Sequence, residues 1–235
     1  MIDGKKVLAV IAARGGSKGL PGKNVAKAGA RPLISWTIDA VHRSRYVDRT
    51  VLSSEDDKII AIAKKAGCEV PFVRPTNMAE DTSPVEEALT HALDQLAEPY
   101  DYLVLLQPTS PLRLAEDIDG AIGKCHSSGA PACVAGCEPD KSPYWMFHVG
   151  DDGTMSPVTG SDSLKSRRQD LPAVFAPNGA VFVSRVPWFR EHRTFYGPDT
   201  VAYMMPPERS LDIDTALDLT IVRTLLEKAA SGETL

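Results

Sequence analysis

The stretch VLAVIAARGGSKGLPGKN, residues 7–24, joins an apolar run to a loop rich in glycine. The run from Val7 to Ala13 shows no polar alternation, which is typical of a parallel strand buried on both faces. The loop cannot be helical, because it holds the helix-breaking residues Gly15, Gly16, Gly19, Pro21 and Gly22. The stretch therefore predicts the first strand of an α/β sheet and a loop at the carboxyl end of that strand.

This region is basic although the chain as a whole is acidic, with a net charge of −5. No Asp or Glu occurs over residues 4–38, whereas the loop carries Arg14, Lys18 and Lys23, followed by Asn24. Glycine lets backbone N–H groups approach a bound group closely, and the cations supply charge, so the combination suits a polyphosphate. A solvated, flexible basic loop is the alternative interpretation.

The glycine spacing differs from two familiar phosphate-binding loops. A dinucleotide loop has G-x-G-x-x-G at the start of a helix, whereas the glycines here fall as G-G-x-x-G with Pro21 close behind. A P-loop has four residues between its glycines and then Lys-Ser/Thr, whereas here five residues separate Gly16 from Gly22, and Asn24 follows Lys23. Neither a dehydrogenase nor a P-loop ATPase is indicated.

The composition allows one complete domain, since the chain has 235 residues of which 43% are apolar. The N-terminal MIDGKK lacks the apolar stretch of a signal peptide, and no run is long enough to span a membrane, so we expect a cytoplasmic protein. Cys68, Cys125, Cys133 and Cys137 lie in apolar settings without the spacing of a zinc site, which favours reduced, buried thiols. The acidic balance argues against a nucleic-acid binder.

Strand and helix signals alternate through the first part of the chain, which predicts a doubly wound, mostly parallel sheet. The expected strands are 7–13, 49–54, 69–73, 102–106 and 132–136. Helices are expected from Pro32, after an Asp56 cap, from a capping box at Ser83-Pro84-Val85-Glu86, over 115–127, and from Thr215 to about Ala230.

Right-handed crossovers place the first three strands in the order 3-2-1 and the fourth on the other side of the first. The strand order therefore reverses between the first and fourth strands, and ligands bind at the carboxyl ends there. Those ends carry the Arg14–Asn24 loop and the Gln107–Arg113 loop. Topology and charge thus predict the same crevice.

The alternation lapses over residues 139–200, which we interpret as an inserted subdomain. Tyr144, Trp145 and Phe147 precede a Gly-Asp-Asp-Gly turn that is typical of a hairpin tip, and a basic run follows at 165–168. Pro177-Asn178-Gly179 and the apolar 180–183 come next. Clustered aromatics favour an interface, so we expect a dimer contact, the alternative being a segment that packs only on its own core.

The segment Ser210-Leu211-Asp212-Ile213-Asp214 places two carboxylates at alternate positions. If it is extended, Leu211 and Ile213 point inward and both carboxylates lie on the other face. Two adjacent carboxylates repel unless a cation sits between them, which favours a divalent metal. Asp214 capping the last helix is the alternative, and both roles are compatible.

Together these residues resemble the acylneuraminate cytidylyltransferase family, the CMP-sialic acid synthetases. The resemblance covers nearly the whole chain. It rests on ARGGSKGLPGKN at 13–24, LLQPTSPLR at 105–113, RRQDLP at 167–172, PNGA at 177–180 and SLDIDTALDL at 210–219. The form of the first loop favours the branch that uses nine-carbon sugar acids over the related Kdo cytidylyltransferases.

The resemblance implies a Mg²⁺-dependent enzyme with a nucleotidyltransferase α/β (Rossmann-like) fold. The family joins CMP from CTP to the anomeric hydroxyl of a nine-carbon 2-keto sugar acid and releases pyrophosphate. The implied partners are CTP and the sugar acid. The composition adds the expectation of no nucleic acid and no membrane, and the aromatic residues of 139–200 add that of a homodimer.

By position, the resemblance also implies roles for individual residues. Nucleotide ligands are expected at Arg14, Lys18, Lys23, Asn24, Arg74 and Ser83, the last two as cytidine contacts. Sugar contacts are expected at Gln107, Arg167, Arg168, Gln169 and Asn178, metal ligands at Asp212 and Asp214, and catalytic roles at Lys23, Arg168, Asp212 and Asp214.

Three functions remain open from the residues and the resemblance. The first is transfer of CMP to N-acetylneuraminate or a relative such as legionaminate. The second is the same chemistry with another acidic sugar, such as pseudaminate or Kdo. The third is a silent nucleotide-binding module, which the intact Asp212-Ile213-Asp214 segment argues against, because such a module has no need of a like-charge pair.

Overall fold

The computed structural model describes residues 1–17, 19–159 and 167–231. The strands are β1 (Val7–Ala12), β2 (Lys27–Ala28), β3 (Arg31–Pro32), β4 (Arg49–Ser53), β5 (Tyr102–Leu106), β6 (Ala132–Cys137), β7 (Phe147–Val149), β8 (Met155–Pro157), β9 (Ala176–Arg185) and β10 (Val201–Met204). The α-helices are α1 (Leu33–His42), α2 (Asp57–Lys65), α3 (Val85–Gln95), α4 (Ala115–Ser128), α5 (Val186–His192) and α6 (Ala216–Ser231).

The central sheet has six strands in the order β10-β6-β9-β5-β1-β4. β1 pairs in parallel with β4 on one side and with β5 on the other, as the crossover argument predicts. β9 runs antiparallel to both β5 and β6, and β10 is parallel to β6. The doubly wound, mostly parallel sheet is therefore confirmed.

Helices cover both faces of this sheet, and the alternation of β1 shows how. Val7, Ala9 and Ile11 lie in an apolar cluster with side chains of α1, α2 and α4. Leu8 and Val10 point the other way, into a cluster with α3 and α5. Side chains alternate across a strand, so an uninterrupted apolar run is what burial on two faces requires.

Two expectations about strands were wrong. Residues 69–73 do not form a strand, and only a parallel bridge between Val51 and Glu69 remains of the expected pairing. The apolar residues 180–183, expected in the inserted subdomain, instead belong to β9 inside the main sheet. The apolar run that buries β9 looks the same in either strand direction, which is why an antiparallel central strand escaped the sequence argument.

The expected hairpin is formed by β7 and β8. It exposes Phe147, Val149 and Met155, together with the neighbouring Trp145. The expected basic run extends into residues 165–166, which lie outside the described ranges, and the dimer contact stays a prediction. Within those ranges, none of the helices combines the length and apolarity needed to cross a bilayer.

Of the two predicted helix caps, one is confirmed and one is wrong. Asp56 caps α2, since its Oδ1 accepts a hydrogen bond from the Ile59 N–H at 2.9 Å. The predicted capping box at Ser83 was wrong: α3 starts after Pro84 without a side-chain cap, and the Ser83 hydroxyl donates to the Asn77 carbonyl at 2.7 Å. The helix therefore begins one residue later than the predicted box requires, with Pro84 rather than Ser83 at the N-cap position.

Candidate active site

A cavity of about 640 Å³ opens at the carboxyl ends of β1 and β5, the crevice that topology and charge predict. Loops after β1 and β5, the segment around 74–85 and the segment before α6 form its walls. The predicted site residues that line it are Arg14, Lys23, Asn24, Arg74, Ser83, Gln107, Asp212 and Asp214.

Lys23 and Asp214 meet directly across this cavity. The Lys23 Nζ lies 3.1 Å from Asp214 Oδ1 and donates to the Ile213 carbonyl at 3.0 Å. The Lys23 side chain is only 18% exposed, whereas that of Asp214 is 74% exposed. The basic loop and the paired aspartates therefore form one site within a single chain.

Gly19 makes this approach possible. A Cβ added at Gly19 would lie 2.5 Å from the Asp214 carbonyl oxygen, closer than real Cβ contacts come. Only glycine lets the basic loop pass so close to the backbone of the C-terminal segment. The loop thus uses a glycine for packing, in addition to the close approach of backbone N–H groups to a ligand that the sequence predicts.

The C-terminal segment is anchored by Ile213 rather than by a regular strand. Its side chain is fully buried, and its N–H donates to the Thr109 carbonyl at 2.9 Å. Leu211 packs on the same apolar cluster, so the expected inward face is confirmed. The carboxylates differ in environment, because Asp212 is partly buried and Asp214 is exposed.

Asp214 does not cap the last helix, so that alternative was wrong. Thr215 and Asp218 form the cap: the Thr215 N–H donates to Asp218 Oδ2 at 2.7 Å, and the Asp218 N–H donates to the Thr215 hydroxyl at 3.3 Å. The Asp214 side chain is thereby left to Lys23 and the cavity.

Asp212 carries an unsatisfied oxygen. Burial raises its pKa above the ordinary value, and Asp214 adds to that rise, whereas a hydrogen bond from Thr109 and the charge of Lys23 oppose it. Its Oδ1 is buried and lacks a hydrogen-bond partner in the described part of the chain. A partly buried carboxylate with a free oxygen beside a second carboxylate suits a hard divalent cation.

The donor set at this position fits Mg²⁺ better than a metal held by protein alone. No group of three or more His, Cys, Asp or Glu side chains within the described ranges could enclose a metal. Mg²⁺ commonly uses one or two carboxylates and completes its shell with water and substrate phosphates. Asp212 and Asp214 are such a pair.

The remaining cations of the cavity are held by acidic partners. Arg14 Nη2 lies 2.8 Å from Asp81 Oδ1, and Arg14 Nη1 donates to the Glu80 carbonyl at 2.6 Å. Asn24 Nδ2 donates to the Arg14 carbonyl at 2.9 Å, which leaves a buried Asn24 Oδ1 without a partner among the described residues. The orientation of the Arg14 side chain is therefore set by its contacts with residues 80–81.

Arg113 organises the wall behind Gln107. It is completely buried, and this burial lowers the pKa of its guanidinium to about 10. Its Nη1 donates to the carbonyls of Ala180 at 2.7 Å and Gln107 at 3.3 Å, and its Nη2 donates to the Thr37 hydroxyl at 2.7 Å. Gly179 has a φ of +73°, and a Cβ there would lie 2.8 Å from Gln107 Oε1.

Some predicted site residues do not line this cavity. Asn178 is buried, with its amide nitrogen donating to the Ser210 hydroxyl at 2.9 Å. Arg167, Arg168 and Gln169 are exposed, and the two arginines pair with Asp170 and Glu138. Lys18 lies outside the described residues.

Glu55 is a residue of this region that the sequence argument missed. Its Oε1 accepts the Gly15 N–H and its Oε2 accepts Arg74 Nη2, both at 2.7 Å. Its position in the sequence could have revealed it, because Glu55 closely follows β4 and the carboxyl ends of parallel strands lie at the same edge of a sheet. Glu55 could therefore have been predicted to lie beside the loop that follows β1.

The fold and the cavity define this protein as a member of the nucleotidyltransferase class. A solved CMP:2-keto-3-deoxy-manno-octonic acid synthetase, crystallised with CTP, superposes with a TM-score of 0.72 at 15% identity, covering 95% of this chain and 99% of that one. A 4-diphosphocytidyl-2C-methyl-D-erythritol synthase from Anaerococcus prevotii superposes with a TM-score of 0.66 at 14% identity, covering 96% of this chain and 100% of that one.

The chain belongs to the cytidylyltransferase family, because residues 8–216 match the family described as "Cytidylyltransferase". It is 30% identical to the N-acylneuraminate cytidylyltransferase of Escherichia coli O18:K1:H7, over 95% of this chain but only 52% of the relative. It thus spans about half the length of that protein. It is also 30% identical to the CMP-N,N'-diacetyllegionaminic acid synthase of Legionella pneumophila, over 94% of this chain and 97% of the relative.

A third relative is the pseudaminic acid cytidylyltransferase of Campylobacter jejuni. It is 30% identical to this chain, over 94% of this chain and 96% of the relative. The resemblance to acylneuraminate cytidylyltransferases is confirmed by these matches.

Proposed function

We propose that this protein transfers CMP from CTP to the anomeric hydroxyl of a nine-carbon 2-keto sugar acid and releases pyrophosphate. The observation that carries this proposal is the meeting of Lys23 with Asp214 in one cavity, beside the unsatisfied oxygen of Asp212. The acceptor is N-acetylneuraminate or a relative such as legionaminate. The cation of Lys23 can bind the triphosphate of CTP, and the neighbouring pair of carboxylates can bind the metal ion that accompanies it.

The reaction places charge where this cavity offers cations. In-line attack on the α-phosphate spreads negative charge over its non-bridging oxygens and the leaving pyrophosphate. Lys23 and Arg14, both lining the cavity, stabilise that charge once the phosphates displace their present acidic partners. Asn24 fixes the backbone of this loop, because its amide nitrogen donates to the Arg14 carbonyl, and its free amide oxygen is our proposed acceptor for a donor group of the nucleotide.

Asp212 and Asp214 would hold Mg²⁺, which when bound supplies Lewis-acid stabilisation of phosphate oxygens. The unpaired oxygen of Asp212 would be one ligand, and the carboxylate of Asp214, which pairs with Lys23 in this structure, would be the other. Arg74 and Ser83 also line the cavity and are our proposed contacts to the cytidine.

Gln107 lines the cavity and is our proposed contact to the sugar acid. Arg167, Arg168 and Gln169 retain their predicted role at the substrate carboxylate, because arginine can grip a carboxylate through two parallel hydrogen bonds. The two arginines pair with Asp170 and Glu138 at exposed positions, where such ion pairs are weak enough for a ligand carboxylate to replace them. Asn178 supports this region by fixing the start of β9 through the Ala180 N–H.

We also propose that the protein is a homodimer in which the β7–β8 hairpin contributes to the contact. Trp145, Phe147, Val149 and Met155 expose apolar surface on and next to this small hairpin. Exposed aromatic and aliphatic side chains gathered on one element are typical of interfaces.

A substrate panel tests the function. Protein, CTP and Mg²⁺ are incubated with N-acetylneuraminate, legionaminate, pseudaminate or Kdo, and pyrophosphate release is followed. We expect release with a nine-carbon acid, and the acceptor with the highest kcat/KM identifies the substrate. Activity with pseudaminate or Kdo alone would favour the second function, and absence of release with every acceptor would contradict catalysis.

The silent nucleotide-binding module makes a different prediction. It binds CTP, measured by calorimetry, and turns over no acceptor in the same panel. The close pairing of Lys23 with Asp214 disfavours this alternative, because a module that only binds nucleotide has no use for a carboxylate pair in its phosphate site.

A further inference from the structure

We propose that Glu55 is a positioning residue that sets the nucleotide-binding geometry of Arg74 and the basic loop. This inference rests on the proposed use of CTP. Glu55 is not one of the residues that line the cavity. It therefore acts from behind the wall, through the groups that it holds.

The carboxylate of Glu55 links two elements that form the wall. Its side chain is 15% exposed, and each of its oxygens has its own donor at 2.7 Å: the Gly15 N–H on one side and Arg74 Nη2 on the other. These two hydrogen bonds fix the orientation of the Glu55 carboxylate. The loop after β1 and the segment after α2 are thereby set at a fixed separation.

Arg74 is built into the wall around this contact. It is 5% exposed, its Nη2 also donates to the Ala13 carbonyl at 2.9 Å, and its N–H donates to the Ser54 carbonyl at 2.9 Å. Its Nε is buried and has no hydrogen-bond partner in the described part of the chain. Glu55 thus neutralises the buried guanidinium of Arg74, which lines the cavity. The Nε of that guanidinium remains an unused hydrogen-bond donor.

The loop after β1 also packs closely against residues 55–56, in addition to its hydrogen bond with Glu55. A Cβ added at Gly15 would lie 2.6 Å from Asp56 Oδ2, so Gly15 fits closely against the 55–56 turn. The Gly15 N–H is consequently committed to Glu55 and not offered to a phosphate. The phosphate-directed groups of the loop are then the ones further along, among them Lys23.

A competing interpretation assigns Glu55 the opposite effect. A carboxylate on the Gly15 N–H could stand where a phosphate oxygen belongs and weaken CTP binding. The position of Glu55 outside the cavity lining argues against this. The two interpretations predict opposite signs for the change in CTP affinity when the charge is removed.

The test compares Glu55→Gln with the matched control Glu69→Gln. Glu69 also pairs with an arginine, Arg49, whose Nη2 lies 2.9 Å from Glu69 Oε2, and neither residue lines the cavity. Each substitution removes one charge from one Arg–Glu pair and keeps the side-chain size. Calorimetric binding of CTP with Mg²⁺, with the acceptor left out, is the primary readout.

We expect Glu55→Gln to weaken CTP binding by about tenfold or more, because the buried Arg74 loses its partner, while Glu69→Gln stays within about twofold. In turnover assays the Glu55 variant should raise KM for CTP more than it lowers kcat. Adding Arg74→Gln to Glu55→Gln should cause little further loss, since the two act as one unit.

Unchanged or tighter CTP binding by Glu55→Gln, with thermal melting showing a folded protein, would overturn the proposal. If that variant fails to fold, Glu55→Asp, which keeps the charge but shortens the reach, replaces it and is expected to weaken CTP binding in the same direction. Wild-type protein that binds CTP without turning over any acceptor would refute only the proposed activity, because the binding comparison is made without acceptor.

Discussion

Replacing Lys23 by alanine should lower the activity strongly while it changes the stability of the fold little. The ammonium of Lys23 lies 3.1 Å from Asp214 Oδ1, but that carboxylate is 74% exposed. A pair so open to water contributes less than about 1 kcal/mol to folding. Lys23→Ala should therefore leave the protein folded, with a melting temperature close to that of the parent.

The effect on catalysis should be much larger. Lys23 is only 18% exposed and lines the wall where the reacting phosphates are proposed to lie. Removing one preorganised donor to developing charge costs about 2–4 kcal/mol of transition-state stabilisation. At about 1.4 kcal/mol per tenfold, kcat/KM should fall by about 30- to 700-fold.

The assay is steady-state pyrophosphate release with CTP, Mg²⁺ and the best acceptor from the panel. Lys27→Ala is the matched control, because Lys27 is an exposed lysine of the same basic region that does not line the cavity. It should stay within about twofold of the parent. If Lys23→Ala also stays within a few-fold, Lys23 provides only general electrostatic attraction and our reasoning about its position is refuted.

Asp212→Asn should abolish the response of activity to added Mg²⁺ with the fold intact, and an unchanged Mg²⁺ titration would make Asp212 structural. Gly19→Ala should lower kcat by about tenfold or more, because the new Cβ displaces Asp214; parental kcat would show that the loop yields freely. Arg113→Met should destabilise the protein by about 3 kcal/mol in urea unfolding, since buried acceptors lose their donor; a loss below about 1 kcal/mol would contradict this. A thiol-specific disulfide reagent at about pH 8 should modify Cys137 first, because burial raises the pKa values of the other three thiols; equal reaction of all four would contradict their burial.

Much of the fold was predictable because its local signals agree with its tertiary contacts. The apolar run of β1 is buried on both faces, and Asp56 caps α2 as its position suggests. The pairing of β1 with β4 and β5 followed from the handedness of crossovers, which depends on strand twist more than on side-chain detail. The same rule placed the two loops of the cavity at one edge.

Other features depend on contacts that a linear pattern does not contain. Ser83 has the sequence of a cap, but α3 begins one residue later, with Pro84 at its N-cap position. Residues 69–73 are mostly apolar yet make only one bridge to β4, because Pro71 has no N–H to donate to a strand ladder. A charged residue such as Arg113 is not expected to be completely buried. Its burial is possible because backbone carbonyls from separate elements accept its hydrogen bonds.

The contact between Lys23 and Asp214 spans 191 positions of the chain. During synthesis the basic loop leaves the ribosome early, and its carboxylate partners follow only after nearly all of the sheet has been made. A nascent or prematurely terminated copy therefore carries only half of the proposed phosphate site. We expect such a copy to lack the proposed turnover of nucleotide.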